Sequence, residues 1–247
     1  MDPMIYTAMG GAKQTLDDQA VINHNLANVS TSGFRAQLSA VRSVPLEGPG
    51  SLATRTAVVG STPMFDATGG PINATGRPMD IALGDNNWLA VQGGDGNEAY
   101  TRRGDLNVDA NGVLMSAGRP VLGDGGPIVI PLGAEITIGD DGTITMKGEG
   151  ARSTELAEID RIKVVNSEAQ QLERGLDGLF RSVDGGVIGR DENAKIATGA
   201  LEGSNVSAVE AMVAMISNQR KFDMQMKVIQ TADENSQRAN SLLSVQG

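Results

Sequence analysis

The pattern in this sequence that comes nearest to a chemical site is Asn107, Asp109, Asn111 and Gly112, oxygen-bearing residues at alternate positions followed by a glycine. A calcium loop begins in that way, but it needs a bidentate Glu at its twelfth position, and Gly118 stands there. The run therefore reads as a hairpin turn. Asp80, Asp95, Glu98 and Asp105 could be imagined as the carboxylate pair of a wall-acting glycosidase, which needs two carboxylates at a set separation in a cleft. They fall beside turns, where solvated acids are the rule. His24 is the one histidine and cysteine is absent. Ser-His-Asp chemistry, multi-histidine metal sites, thiolate sites and disulfides are thereby excluded. Gly123-Asp124-Gly125-Gly126 lacks the Lys-Ser/Thr of a phosphate loop and leads into Pro127, so it is a turn. These residues predict no enzyme, no cofactor, no metal and no small-molecule substrate.

With chemistry set aside, the question becomes what the remaining residues build. The chain has 247 residues, 3% aromatic, with 32 glycines and a formal charge of −10. That charge opposes binding to a phosphate backbone, so nucleic acid is not an expected partner. No apolar run is long enough to span a bilayer, and the N-terminus lacks the basic and apolar pattern of a cleaved signal peptide.

Asp2 and Pro3 make a helix opening. Ile5, Met9, Ala12, Leu16, Gln19, Asn23 and Leu26 then recur at spacings of four and three, a heptad seam. Ser30 to Gly33 should end this helix near Val29, and a second short amphipathic stretch is expected through Phe34, Leu38 and Val41. Residues 45–76, rich in Gly, Pro, Ser and Thr, read as a linker in which Val58-Val59 and Met64-Phe65 could form short strands. Over 77–200 the period falls to two. Strands are expected around Ile81, Trp88 to Val91, Leu106 to Val108, Val113 to Met115, Ile128 to Ile130, Ile136 to Ile138, Ile144 to Met146 and Ile162 to Val165. Asp95-Gly96, Asn111-Gly112, Asp141-Gly142 and Asp184-Gly185 supply tight turns between them. After Gly203, Ser207 and Glu210 form a capping box, with Ser204 and Asn205 as rival caps. Ala208, Met212, Met215, Gln219, Phe222, Met226 and Ile229 continue a second heptad seam through Asp233, Ser236 and Asn240 to Leu243.

The predicted fold is α+β, a central antiparallel β domain inserted between N- and C-terminal heptad helices. The segments are a helical one at 1–44, the linker at 45–76, the β domain at 77–200 and a helical one at 201–247. The helices should pair antiparallel. Polar residues at several seam positions make such a pair marginal alone, so its ordering is expected to couple to polymerisation, with coiled-coil-like contacts to neighbouring subunits. A secreted adhesin or binding module would instead need an ordered monomer with stable ends.

The run Asn25-Leu26-Ala27-Asn28-Val29-Ser30-Thr31-Ser32-Gly33-Phe34-Arg35 resembles the signature of flagellar rod and hook proteins. The opening Ile5-Tyr6-Thr7-Ala8-Met9-Gly10 is similar to that of the proximal-rod F type. Arg77-Pro78-Met79-Asp80-Ile81-Ala82-Leu83, Tyr100-Thr101-Arg102 and Gly112-Val113-Leu114 resemble the family's β-domain motifs, and Leu201-Glu202-Gly203-Ser204-Asn205-Val206 with Val209-Glu210-Ala211-Met212 resembles its C-terminal signature. Ser32 and His24 depart from the residues common there.

The resemblance implies a structural subunit of the proximal rod, the periplasmic drive shaft of the flagellar basal body. Such a subunit is exported by the flagellar type III apparatus without a cleaved signal peptide, and it polymerises with itself and with other rod proteins. A distal-rod or hook-type axial protein is the alternative within the family. The assembly interface expected is Ile5, Met9, Leu16, Asn25, Leu26, Asn28, Gly33 and Phe34 at one end, and Val209, Met212, Met215, Phe222, Met226 and Ile229 at the other. Asn25 and Asn28 should bond backbone near the helix end, Gly33 should turn the chain, and Phe34 should anchor a contact between subunits.

Overall fold

A computed structural model describes residues 3–39, 41–45, 56–60, 64–131, 133–147 and 156–244. The chain divides into two compact units. One holds Met1–Ala27, Gln37–Met64 and Val206–Gly247, and the other Asn28–Ala36 with Phe65–Asn205.

The helical unit is built on α1, Pro3–Ala27, and α2, Ala208–Ser244. Asp2, the expected cap of α1, lies outside the described residues, as does the side chain of Leu243. At the start of α2 the Glu210 backbone N–H donates to the Ser207 hydroxyl at 3.3 Å, which satisfies one of the free donors of a helix N-terminus. Where a second short amphipathic stretch was expected through Phe34, Leu38 and Val41, the described residues are not helical. Gln37–Leu38 and Val41–Pro45 are extended, and Val41–Pro45 pairs antiparallel with Thr56–Gly60. The β-branched residues at Val41, Val44, Thr56, Val58 and Val59 suit that pairing better than a helix. Val58 and Val59, in the segment read as a linker, thus lie in one of the short strands that the sequence allowed there.

The β unit is antiparallel throughout. Its largest sheet has five strands, in the order Val164–Asn166, Asn87–Gln92, Glu98–Thr101, Phe180–Ser182 and Leu172–Arg174. Asn87–Gln92 lies inside this sheet, and side-chain alternation sends Leu89 and Val91 to one core and Trp88 and Ala90 to another. The first core is aliphatic, with Ile81, Leu106, Leu114, Val121, Ile128, Ile144 and Ile162 packed around them. The second is aromatic. Trp88 and Phe180 lie 4.6 Å apart by ring centroids and Phe65 stands edge-on to both, with Tyr100 in the same cluster. A chain with so few aromatic residues has concentrated them here, where each buries a large area.

Three predicted turns close hairpins. Gly96, Gly112 and Gly142 hold φ of 81°, 85° and 84°, a region open to glycine and strained for other residues. In each, two backbone bonds close the loop, as in Gly93 N–H to Asn97 O at 2.8 Å and Gly96 N–H to Gly93 O at 3.0 Å. One left-handed residue suffices, so these are three-residue loops. Asp177-Gly178 repeats the device in Gly175-Leu176-Asp177-Gly178, with φ 80° at the glycine. Asp184-Gly185 also turns, but the chain then runs on irregularly through 186–189.

Ile128 to Ile130 do not make a regular strand. Their backbone bonds to Leu114, Val121 and Gly112 are single contacts, although Ile128 and Ile130 are still core residues. The β unit also extends beyond 77–200. Ile72–Ala74 pairs with Ala200–Glu202, and Ile81–Leu83 pairs with Ile196–Thr198.

Candidate assembly surface and its anchor

The two helices of the helical unit lie antiparallel. The Asn218 amide donates to the Thr15 carbonyl at 2.8 Å and to Gln19 Oε1 at 2.9 Å, and the Thr15 hydroxyl reaches both Gly11 O at 2.8 Å and Gln225 Oε1 at 3.2 Å. On α2 the covered residues are Ala211, Met215, Asn218, Phe222, Gln225, Ile229 and Ala232. On α1 they include Ile5, Ala8, Ala12, Thr15, Gln19, Ile22 and Leu26. Each set keeps the four-and-three rhythm of a heptad.

The predicted seams therefore share alternate positions with the observed ones and miss the others by one residue. Ile5, Leu26, Met215, Phe222 and Ile229 are half-buried, while Met9, Leu16, Met212 and Met226 point outward. The reason is steric. A Cβ on Gly11 would come within 2.8 Å of the Gln225 amide, so the pair approaches closely there through small and amide side chains, and Met9, Leu16, Met212 and Met226 stay outside. Hydrogen-bonding amides at 218 and 225 set which residue faces which, as a buried polar residue fixes register in a coiled coil.

What remains outside is a second apolar stripe. On α2, Val209, Met212, Val213 and Ile216 follow helical spacing, with Val209 67% and Ile216 57% exposed. On α1, Tyr6, Met9 and Leu16 do the same, with Met9 55% and Leu16 57% exposed. An open groove of about 350 Å³ lies between α1, α2 and residues 37–39, lined by Val21, Ile22 and Leu38 with Asp18 and Lys221. Contiguous apolar surface on a polar molecule marks a place where something else packs.

Asn25 grips the backbone of Gln37 from both sides, donating to its carbonyl and accepting from its N–H at 2.8 Å each. Asn28 accepts from the Thr31 N–H and hydroxyl at 3.1 Å.

Gly33 and Phe34 have another setting. Both lie in the β unit. Phe34 is 6% exposed and covered by the Arg174 guanidinium 4.7 Å from its ring centroid. It is buried within its own chain, so its anchoring role in this structure is within the β unit. Gly33 has φ +63°, and a Cβ there would stand 2.2 Å from the Arg102 carbonyl oxygen.

The residues around them form a clasp that the sequence reading did not anticipate. The Gly33 N–H donates to the Glu202 carbonyl at 2.8 Å and the Asn205 N–H to the Phe34 carbonyl at 3.3 Å. The Asn205 side chain accepts from Ala36 N at 2.7 Å and donates to the carbonyls of Asp66 and Thr68. At the centre, Glu202 is 3% exposed and carries Arg35 on Oε1 at 2.6 Å and Arg102 on Oε2 at 2.7 Å. Gly70 N donates to Oε1 at 3.0 Å.

A carboxylate shared by two buried guanidiniums offsets its desolvation only where the donors find partners. Arg102 does so, through the carbonyls of Leu83, Gly84 and Asn87 at 2.7 to 3.1 Å. Burial pushes its pKa down, although Glu202 pulls it back up. Arg35 Nε and Nη1 have no partner among the described residues. The end of the run Asn25 to Arg35 and the run Leu201 to Val206, two of those that carry the rod-like resemblance, thus meet in one structural element. No pattern along the sequence marks this charge set, because Arg35, Arg102 and Glu202 meet only in the folded chain.

The carboxylates considered for catalysis are each engaged in the fold. Asp80 is 1% exposed and accepts from the Thr75 hydroxyl at 2.6 Å, and Glu98 pairs with Lys163 at 2.8 Å. Burial pushes Asp105 up, but hydrogen bonds from Arg103 and Ser32 and the Arg103 charge hold it below the usual range. Asp95 is held low first by the Asn97 side chain of its own turn. Asp109, from the calcium-like run, accepts from the backbone N–H groups of Asn111 and Val113 at 2.8 Å and so makes a hairpin turn.

A pair of terminal helices and a separate antiparallel β unit, with no catalytic constellation among the described residues, make a structural protein, and the chain belongs to the flagellar basal-body rod family. Residues 5–35 match the family model described as flagella basal body rod protein, 82–146 the D1 domain of flagellar hook protein FlgE/F/G, and 197–242 the C-terminal region of flagellar basal body rod FlgEFG protein. The flagellar basal-body rod protein FlgF of Salmonella typhimurium is 52% identical over 99% of this chain and 100% of the relative. FlgF of Escherichia coli is 51% identical with the same coverage, and FlgG of Bacillus subtilis is 28% identical over 93% of this chain and 95% of its own length. The protein is a structural rod subunit of the flagellar basal body.

Proposed function

We propose that this subunit belongs to the proximal rod and polymerises through its helical unit with copies of itself and with other rod proteins, passing torque from motor to hook. The observation that carries this reading is the second apolar stripe on each helix. One face of α1 and one face of α2 are used within the chain, and Met9, Leu16, Val209 and Ile216 are left for neighbours. Burying an apolar side chain of this size stabilises by roughly 1.5–3 kcal/mol, so a few such residues per contact offset the marginal, polar seam of the isolated pair. Ordering of the helix ends then completes on assembly in coiled-coil-like contacts. Within 1–44 and 201–247 the two helices, Pro3–Ala27 and Ala208–Ser244, supply the assembly surface, and the β domain serves as a mechanical body without catalytic function. Export through the flagellar type III apparatus into the periplasmic rod, with no cleaved signal peptide, completes the proposal.

Leu16→Glu and Ile216→Glu test it. Both lie on exposed faces, so helix content by circular dichroism stays at the wild-type level while the variant is missing from purified basal bodies and the cells lose motility. Normal incorporation of both variants would overturn the interface.

A further inference from the structure

The sequence has 11 methionines and no cysteine, so thioethers are its only sulfur. Their placement is uneven. Among the described residues the exposed ones, Met9, Met64, Met212, Met224 and Met226, all belong to the helical unit. Met79, Met115 and Met146 of the β unit are half-buried, as is Met215 on the seam side of α2. Met9 stands on the outer stripe of α1 with Leu16. Met212 is 48% exposed and lies on the outer stripe of α2, one turn from Val209 on one side and from Ile216 on the other. A thioether in such a place is apolar and adaptable enough to pack, and accessible enough to be oxidised.

We propose that Met9 and Met212 are oxidation sites, and that their conversion to methionine sulfoxide regulates the assembly surface. The inference rests on the reading of the outer stripe as that surface. Hydrogen peroxide is the oxidant. One of its oxygens bonds to the thioether sulfur as the O–O bond breaks, and a proton moves to the remaining hydroxyl, which leaves as water. Sulfur gives up two electrons and the peroxide takes them. The product carries a polar S–O group in a stripe whose other members on α2, Val209, Val213 and Ile216, have no side-chain donor to offer it. A neighbour packed on the stripe would bury that oxygen without a partner, whereas water solvates it on the unassembled subunit. Oxidation therefore disfavours joining and leaves the fold intact, since both sulfurs point away from the α1 and α2 seam. Methionine sulfoxide reductases reverse the change.

Peroxide treatment of the purified full-length protein, with sulfoxides located by peptide mass spectrometry, gives the first test. Met9 and Met212 should oxidise several-fold faster than Met79, Met115 and Met146, with helix content by circular dichroism unchanged. Equal rates, or loss of helix as Met9 and Met212 react, overturn the proposal. The second test is a competition in cells that make the wild type and a Met9→Leu, Met212→Leu variant together, so that effects of peroxide on other proteins cancel. Growth with peroxide should shift their ratio in purified basal bodies several-fold toward the leucine variant relative to untreated cells. An unchanged ratio overturns the proposal. A Met9→Gln, Met212→Gln variant, whose amides place a polar oxygen where the sulfoxide would, should lose to the wild type several-fold without any oxidant, and equal entry overturns the proposal as well. If Leu16→Glu still blocks incorporation in that case, the assembly surface stands and its oxidation switch alone is lost. If Leu16→Glu incorporates normally, the reading of the surface has failed.

Discussion

Replacing Glu202 with Gln removes the one negative charge between Arg35 and Arg102 while keeping the side chain's shape. All three side chains are 3% exposed or less, so solvent can do little to screen the two guanidiniums left behind. Removing one member of a buried ion pair destabilises by about 3–5 kcal/mol, because the remaining charge is uncompensated. Here two like charges remain, which places Glu202→Gln at the upper end of that range. In a β unit of this size such a loss lowers the melting temperature by roughly 6–20 °C. Arg35→Met behaves differently. It leaves the Glu202–Arg102 pair balanced at 2.7 Å and takes away two buried donors, Arg35 Nε and Nη1, that have no partner among the described residues. Its cost should be at least about 1–2 kcal/mol smaller, since unsatisfied donors are themselves unfavourable. Urea unfolding followed by tryptophan fluorescence resolves the two, because Trp88 is the chain's sole tryptophan and lies 5.6 Å from the Arg102 guanidinium. If Arg35→Met is as damaging as Glu202→Gln, then packing and not charge balance governs the clasp, and the reasoning fails.

Gly104→Ala should leave the β unit unfolded in thermal melts, because its Cβ would fall 1.7 Å from the Ile81 carbonyl oxygen of a paired strand. Ala117 has φ 51° in the turn between paired Ser116 and Arg119, so Ala117→Gly should raise stability by about 0.5–1 kcal/mol in urea unfolding. Asp105 and the turn residues Asp95, Asp109, Asp141 and Asp177 are all held below the ordinary aspartate value of about 3.9. Groups with depressed folded pKa stabilise fully above the unfolded value of about 3.9 and lose that contribution as pH falls through their folded values, so circular dichroism should show the β unit weakening below about pH 4 and unchanged by these groups between pH 5 and 7. Burial pushes the Tyr100 phenol up to about 12. Its ionisation at 295 nm should therefore be delayed to that region and coincide with alkaline unfolding.

Periodicity made the broad architecture legible. The heptad rhythm located both long helices, Ser207 and Glu210 marked the start of α2, and glycine after Asp or Asn marked hairpin turns. Each of these is a local preference, settled by backbone sterics and by hydrogen bonds a few residues apart. Short strands such as Ile72–Ala74, Leu172–Arg174 and Ile196–Thr198 were not legible, because three residues carry too little alternation to register. Their pairing is decided by partners up to 130 residues away, as Ala74 with Ala200 and Ile72 with Glu202 illustrate.

The same division runs through the assembly surface. Sequence alone determined that residues 5–26 and 208–243 would be helices with apolar stripes and a polar seam. Only the tertiary structure decided which stripe faces inward, because Gly11 and Gln225 permit an approach that excludes Met9, Leu16, Met212 and Met226 from the pair. It also decided that Gly33, Phe34 and Arg35 serve the β unit. A signature read along the chain carries no information on what lies across from it, and the charge balance of Arg35, Arg102 and Glu202 exists only once three distant segments meet in a space closed to water.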